Sequence, residues 1–373
     1  MCSSDLMQQY LKIHEEVPDA FLLFRLGDFY ELFWDDAIKA SKILDLTLTG
    51  KDCGLDERAP MCGVPYHAVD NYIAKLVDNG YKVAICEQVT DPSESNGLVE
   101  RAIVRIITSG TVTDSGSLKE DQNNYIMSIY TDRVTYGVVY CDVSTGETYA
   151  QNIDGMHPED DLFSLLSVTM PSEILVNTLL FQSFEIKSII ENITKRNLVP
   201  LPKSIYQKDT CERAITDQLS VFSLKSTGLE NEDNLIKACG ALFWYLKDTQ
   251  KNTLKHIDKI YFNSKTSTMK LDYSTKRNLE LTETIRNSNK KGSLLWVIDN
   301  TVTGVGARTL RRWVSEPLTD KQNIMERHDV LSSLTADISL IERIRGNLNK
   351  TSDLYRLTSK LSFRSANGRD LLA

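Results

Sequence analysis

Residues 20–33 read Ala-Phe-Leu-Leu-Phe-Arg-Leu-Gly-Asp-Phe-Tyr-Glu-Leu-Phe, and their order decides the fold of the first third of the chain. Ala20 to Leu26 is an apolar run broken only by Arg25 and ended by the turn pair Gly27-Asp28, the pattern of a buried strand. An aromatic-rich turn is expected next. From Phe33 the apolar residues fall at Phe33, Ala37, Ala40 and Leu44, which is one face of a helix. Further out, Val69, Tyr72, Ile73, Leu76 and Val77 mark a second helix that stops at Asn79-Gly80. Residues 81–86 and 103–107 read as strands, so the sum is a mixed α/β domain of ordinary size over residues 1–115.

Residues 114–124 are polar and rich in turn formers, and a linker is expected there. Beyond it, residues 125–130, 135–143 and 147–152 look like consecutive strands joined by tight turns, and Pro158 opens a helix through Leu162, Phe163, Leu165 and Leu166. Glu173 to Val176 resembles one more strand before helical spacing returns at Leu235, Ile236, Cys239, Leu242, Phe243 and Leu246, which makes residues 116–259 a second α/β domain. From about Met269 helix-length segments with charged faces follow one another, so residues 260–373 are expected to be helical. There Val302, Leu310, Trp313 and Val314 are expected to pack inward, with Arg308, Arg311 and Arg312 as a basic outer stripe. Leu371-Leu372-Ala373 arrives without a capping or stop signal, which suggests a chain that continues.

With 41% hydrophobic and 25% charged residues, the composition argues against disordered, collagenous and disulfide-framework classes. No apolar run is long enough for a membrane span, and the start lacks the layout of a signal peptide. Seven cysteines without paired spacing fit reduced thiols in a cytoplasmic protein. The net charge of −8 conceals a gradient. Residues 1–115 hold 10 Lys/Arg against 19 Asp/Glu, residues 116–259 hold 14 against 20, and residues 260–373 hold 19 against 12. A basic last third could hold a polyanion through its phosphates, whereas the acidic first third would have to act at short range through particular side chains.

The segment with most chemistry is Gly27-Asp28-Phe29-Tyr30-Glu31-Leu32-Phe33, an aromatic cluster around one carboxylate. One reading makes it core, with Glu31 in the first turn of a helix. The other turns one ring outward, where it could wedge into a base stack while an acid two residues away accepts from an exposed base edge. The residues alone leave both open.

Phe29 and Glu31 within this segment resemble the Phe-x-Glu mismatch-reading pattern of the bacterial MutS family. Met7-Gln8-Gln9-Tyr10, Gly63-Val64-Pro65-Tyr66-His67-Ala68, Val83-Ala84-Ile85-Cys86-Glu87-Gln88 and Val99-Glu100-Arg101 resemble other parts of that family's first domain. Thr108-Ser109-Gly110-Thr111 does so too, although the family more often has Pro where Ser109 stands. Leu271-Asp272, Arg277-Asn278-Leu279-Glu280-Leu281, Thr309-Leu310-Arg311-Arg312-Trp313 and Pro317-Leu318 resemble the start of its helical core. The resemblance implies a mismatch-recognition α/β domain in residues 1–115 and a ribonuclease-H-like α/β connector in residues 116–259. An all-α core and lever segment is implied for residues 260–373. It also implies mismatch binding by Phe29 and Glu31, with Met61, Pro65, Tyr66, His67 and Arg101 as further candidate DNA contacts. Implied partners are double-stranded DNA with mismatches or small loops, a second copy in the full-length family, and downstream repair proteins of the MutL type, in a bacterial cytoplasm at the nucleoid.

Competing chemistry is thinner. No Gly-x-x-x-x-Gly-Lys-Ser/Thr phosphate loop occurs, and Gly304-Val305-Gly306 lacks the lysine. No catalytic residue and no cofactor are therefore assigned to this chain, ATP and magnesium being implied only for the full-length family. A metal-dependent nuclease would use clustered carboxylates, with Asp142 and Glu173 as candidates against a reading as solvated strand ends. Cys53 and Cys62 lie nine apart without a Cys-x-x-Cys pair, so no metal site is expected, and His67 is expected to cap or pack before its helix.

Overall fold

A computed structural model describes residues 5–54, 57–90, 99–113, 118–252, 254–262, 268–363 and 365–373. The chain divides into two compact units, Met1–Ser117 with Tyr245–Thr253, and Leu118–Trp244 with Leu254–Ala373.

In the first unit, in chain order, stand α1 (Asp5–His14), β1 (Ala20–Leu26), β2 (Phe29–Phe33), α2 (Trp34–Leu44), β3 (Thr49–Lys51), β4 (Ala59–Pro65), α3 (Val69–Asp78), β5 (Lys82–Gln88) and β6 (Arg101–Ile107). The strands form one sheet in the order β3-β4-β2-β1-β5-β6, with β1 and β5 parallel and the other pairs antiparallel. Sequence periodicity explains α2 and α3, which bury Ala37, Ala40 and Leu44, and Ile73, Leu76 and Val77. The aromatic cluster is not a turn. Gly27 takes a left-handed φ of 56°, which a residue without Cβ adopts at low cost, and a two-residue turn sends the chain straight back as β2 with Leu26 opposite Phe29. Glu31 accordingly sits mid-strand rather than in a helix. Phe33 ends β2 in the core, with the Tyr10 ring 4.9 Å away edge-on.

The second unit holds β7 (Tyr125–Thr131), β8 (Tyr136–Asp142), β9 (Thr148–Ile153), α4 (Pro158–Thr169), β10 (Glu173–Val176), α5 (Thr178–Gln182), α6 (Phe184–Thr194), β11 (Leu198–Pro200) and α7 (Lys208–Leu219). Next come α8 (Asp233–Gln250), whose last residues count with the first unit, and β12 (Ile260–Phe262). The helices α9 (Tyr273–Asn278), α10 (Leu294–Ile298), α11 (Gly304–Ser315), α12 (Lys321–Thr335), α13 (Ile338–Leu348), α14 (Leu354–Ser362) and α15 (Gly368–Leu372) complete it. Its sheet runs β11-β10-β7-β8-β9-β12, antiparallel through β7, β8 and β9 and parallel at both flanks. Residues 260–262 thus add an edge strand just after the expected end of the second α/β domain. Asn367 and Asp370 form a reciprocal cap at the start of α15, a start signal that the sequence reading did not pick out.

Two expectations change in the second unit. Of the expected linker, residues 114–117 lie outside the described residues, but residues 119–122 are strapped down rather than loose. Arg308 donates to the Glu120 carbonyl at 3.0 Å, and Arg356 donates to those of Lys119 and Gln122 at 3.1 and 2.9 Å. Lys290 meets the Asp121 carboxylate at 2.8 Å. The expected facing of α11 also fails at two positions, although Arg312 is exposed as expected: Arg308 is buried against Asp353 at 2.8 Å, while Trp313 is half exposed with the Arg327 guanidinium 3.7 Å over its ring. A guanidinium that satisfies otherwise buried carbonyls gains more by turning inward than an indole that a neighbouring arginine can cover.

Arg356 is buried, so Arg356→Met strands two carbonyls and should lower stability to urea by about 2–4 kcal/mol. Arg327→Met, which removes only a half-exposed stack, should cost under about 1 kcal/mol in the same titration.

Candidate nucleic-acid interface

The β1–β2 turn and the exit of β4 meet at one end of the first sheet. Phe29 pairs with Pro65 in register, and the Tyr66 amide donates to the Asp28 carbonyl at 3.0 Å. Strand alternation then separates the cluster. Phe29 is 46% exposed, Tyr30 only 5%, and Glu31 lies on the same face as Phe29. Tyr66 is 44% exposed beside Phe29's partner Pro65, with exposed His67 edge-on to the Tyr66 ring at 5.7 Å. His67 stands in a short 3-10 turn and supplies no side-chain cap to α3.

Below this tip the opposite face is braced. The Tyr30 hydroxyl donates to Glu87, and burial followed by that contact pushes the phenol well above the usual tyrosine range. The Arg25 guanidinium lies 3.8 Å from Glu87, 5.4 Å from the Tyr30 ring and 3.9 Å over the Tyr66 ring. Arg25, the one charge in an apolar strand, thereby ties the exposed Tyr66 to the buried Tyr30. Arg101 sits deeper, buried, with its guanidinium donating to the Arg25 carbonyl at 2.8 Å, to Gln9 at 3.0 Å and to the Val99 carbonyl at 2.9 Å. The expectation that Arg101 reaches DNA thus meets a guanidinium already engaged inside the unit, where it props the strand beneath the turn.

On the Phe29 face, the Glu31 carboxylate receives Lys51 of the edge strand β3 at 2.7 Å. Gly63 faces Glu31 across the pair, and a Cβ there would stand 3.4 Å from the Glu31 Cγ, so glycine leaves that flank of the acid uncovered. Met61, half-buried, packs beneath them against the apolar core. Phe29 and Pro65 therefore meet at the tip, with Glu31 and Met61 further along the same face, while the next residues, Tyr66 and His67, turn to the Arg25 side. Sequence reading gave no site role to Arg25, Lys51, Gly63 or Glu87. Arg25 had a signal, as a lone charge in a buried run, whereas Lys51 becomes visible only once the β3-β4-β2 register is known.

The alternative chemistry loses its residues. Asp142 is wholly buried, not a solvated strand end, and both its oxygens are occupied: one by the Ser144 amide and hydroxyl at 2.9 and 2.6 Å, the other by Asn123 and the Asn124 amide at 2.9 and 3.1 Å. It closes the β8–β9 turn. Glu173 is buried on β10, and no group of three or more His, Cys, Asp or Glu placed to hold a metal occurs among the described residues. Cys53 and Cys62 are buried, and desolvation pushes the Cys62 thiol up to about 11, which keeps it a packed thiol. The basic stripe is engaged within the unit, with exposed Arg312 donating to the Tyr149 hydroxyl at 3.1 Å and half-buried Arg311 4.0 Å from Asp121 and from Glu283.

Comparison with known proteins places the chain among relatives. The family models for MutS domain I, MutS domain II and MutS domain III match residues 4–116, 124–258 and 274–373. Proteins named DNA mismatch repair protein MutS from Alkaliphilus oremlandii and Acetivibrio thermocellus are 46% and 44% identical, each over 99% of this chain and 42% of their own length. One of the same name from Caldanaerobacter subterraneus is 43% identical over 100% of this chain and 42% of its own. The chain spans about two-fifths of the length of the curated relatives it matches.

The brace beneath the tip can be tested by itself. Arg25→Met removes the stack on Tyr66 and the cationic neighbour of Glu87, and should cost about 1–2 kcal/mol in thermal or urea melts. Arg25→Lys should recover only part of that loss, because an ammonium cannot lie flat on the Tyr66 ring.

Proposed function

The chain belongs to the MutS family, and on that premise we propose that its first unit reads mispaired or unpaired bases in duplex DNA with Phe29 as wedge and Glu31 as selector. The observation that carries this is the alternation in β2: an aromatic ring held outward at a rigid turn, an acid two residues along the same face, and the intervening Tyr30 locked inward. An exposed ring stacks on any base, worth roughly 1–3 kcal/mol, so Phe29 supplies insertion without sequence preference. A carboxylate near DNA is repelled by phosphate and gains only where a displaced base offers a donor, so Glu31 supplies the choice. Pro65 is paired with Phe29, and exposed Tyr66 and His67 follow it at the same end of the sheet, where they are the natural companions of the ring at a groove.

The same reading assigns a mismatch-recognition domain to residues 1–115, a ribonuclease-H-like connector to residues 116–259 and the start of a helical core and lever to residues 260–373. The antiparallel β7-β8-β9 with β10 and β11 added in parallel supports the connector assignment. Double-stranded DNA is then the substrate, and a second copy and MutL-type proteins are partners of the whole protein. ATP and magnesium belong to parts of the family's proteins outside these residues. No helix among the described residues is long and apolar enough to cross a membrane, in keeping with action in the bacterial cytoplasm at the nucleoid.

In a protein of the relatives' full length, Phe29→Ala should lower affinity for a mispaired duplex by about 5- to 150-fold while leaving the melting temperature nearly unchanged. Glu31→Gln should raise affinity for paired duplex and shrink the difference between paired and mispaired sites. Tyr30→Ala should lower the melting temperature first. The assignment is reversed if Phe29→Ala unfolds the protein while Tyr30→Ala abolishes discrimination.

The 373-residue chain by itself should bind DNA weakly and discriminate poorly, because insertion needs a bent duplex and bending costs about 1–6 kcal/mol. Titration of paired and single-mismatch oligonucleotides at fixed salt checks this, and nanomolar, strongly selective binding would contradict it.

A further inference from the structure

Glu31 is not a bare carboxylate. Its side chain is 17% exposed, and Lys51 neutralises it at 2.7 Å from the edge strand β3. Lys51 is the more accessible partner, at 29%, and its ammonium lies between the Glu31 carboxylate and the Phe33 ring, 5.5 Å from the ring centre. Gly63 leaves the flank of the acid open. Phe29 and Glu31 are two strand residues apart on one face, about 7 Å, which is within two base steps of each other along a duplex.

Resting on the wedge reading above, we infer that Lys51 is a specificity-determining residue that exchanges partners. Against paired DNA it stays on Glu31, and the neutral pair neither attracts nor repels the backbone. When a displaced base donates to Glu31, the ammonium loses its counter-charge and turns to a backbone phosphate. One ion pair is thus replaced by one base contact and one phosphate contact, with no net change in the charge of the protein. Mismatch recognition thereby gains a phosphate contact that paired DNA does not receive.

The exchange is read from the dependence of affinity on salt, since each phosphate neutralised by a lysine adds about 0.9 to the slope of log affinity against log salt. The 373-residue chain, Glu31→Gln, Lys51→Met and the double variant are titrated with paired duplex at low salt, their folding followed by circular dichroism. Lys51→Gln serves as the second variant should Lys51→Met misfold. Glu31→Gln frees Lys51, so its slope should be steeper than wild type by about 0.9, and adding Lys51→Met should remove that gain. Lys51→Met in the wild-type background should flatten the paired-duplex slope by less than half as much, because there Lys51 is held by Glu31. Equal losses in the two backgrounds, or no gain in Glu31→Gln, would overturn the exchange. In a protein of the relatives' full length, the slope with a mispaired duplex should exceed the paired value, and Lys51→Met should abolish the excess. Phe29→Ala in that longer protein separates the two claims: mismatch preference that survives it sinks the wedge reading. Preference lost in Phe29→Ala alongside equal Lys51 losses sinks the exchange alone.

Discussion

The two-residue turn at Gly27-Asp28 fixes the register of β1 against β2, and every feature of the candidate interface depends on that register. With Leu26 opposite Phe29, alternation sends Phe29 and Glu31 to one face and Tyr30 and Leu32 to the other. A slip of one residue would bury Phe29 and expose Tyr30. The register is held from both ends. Phe33 is packed against Tyr10 in the core, and Tyr30 is bonded to Glu87 beneath Arg25. An exposed ring can act as a wedge only if its strand cannot give way, and the sheet is braced on the Tyr30 face by Arg25 and Glu87 and on the Phe29 face by buried Arg101, 5.1 Å over the ring of Phe24, the residue paired with Glu31.

Much of the fold was legible where one periodicity ran uninterrupted. The apolar run of β1, the four-three-four spacing of α2 and the turn-separated strands β7, β8 and β9 each carry their own signal. Strand β2 did not, because Phe-Tyr-Glu-Leu-Phe has aromatics on both faces and no polar alternation to show which face is buried. Strand β4 hid behind Pro60, Gly63 and Pro65, residues that count against a strand by composition and are tolerated here at its ends and beside a close acid. The inward turn of Arg308 was illegible for a different reason. Its partners, the Glu120 carbonyl and Asp353, lie far along the chain on either side, and a charge stripe read locally points to solvent.

The candidate site divides along the same line. Phe29 and Glu31 could be named from a short pattern because both belong to one strand. Lys51, Gly63 and Arg25 act on them across strands, so their roles depend on register rather than on neighbouring residues. Arg101 shows the converse hazard: an arginine beside the candidate segment invites a phosphate-binding role, yet it is buried and its Nε and Nη1 donate to the Arg25 carbonyl, Gln9 and the Val99 carbonyl.

The acidic first third poses a physical problem for a reader of DNA, since residues 1–115 carry 19 Asp/Glu against 10 Lys/Arg. Long-range attraction cannot draw such a unit to a polyanion, so whatever it contributes must come from contacts at van der Waals and hydrogen-bond range. A stacked ring meets that requirement because it carries no charge. An acid meets it only if its charge is masked until a base arrives, and in the exchange proposed above the Lys51 ion pair is that mask: a carboxylate whose charge a lysine balances can approach a phosphate backbone without repulsion and still be free to choose. An acidic surface is then no obstacle to reading DNA defects. On the proposed function it would suppress adhesion to ordinary duplex, leaving discrimination to the few groups whose register the Gly27-Asp28 turn sets.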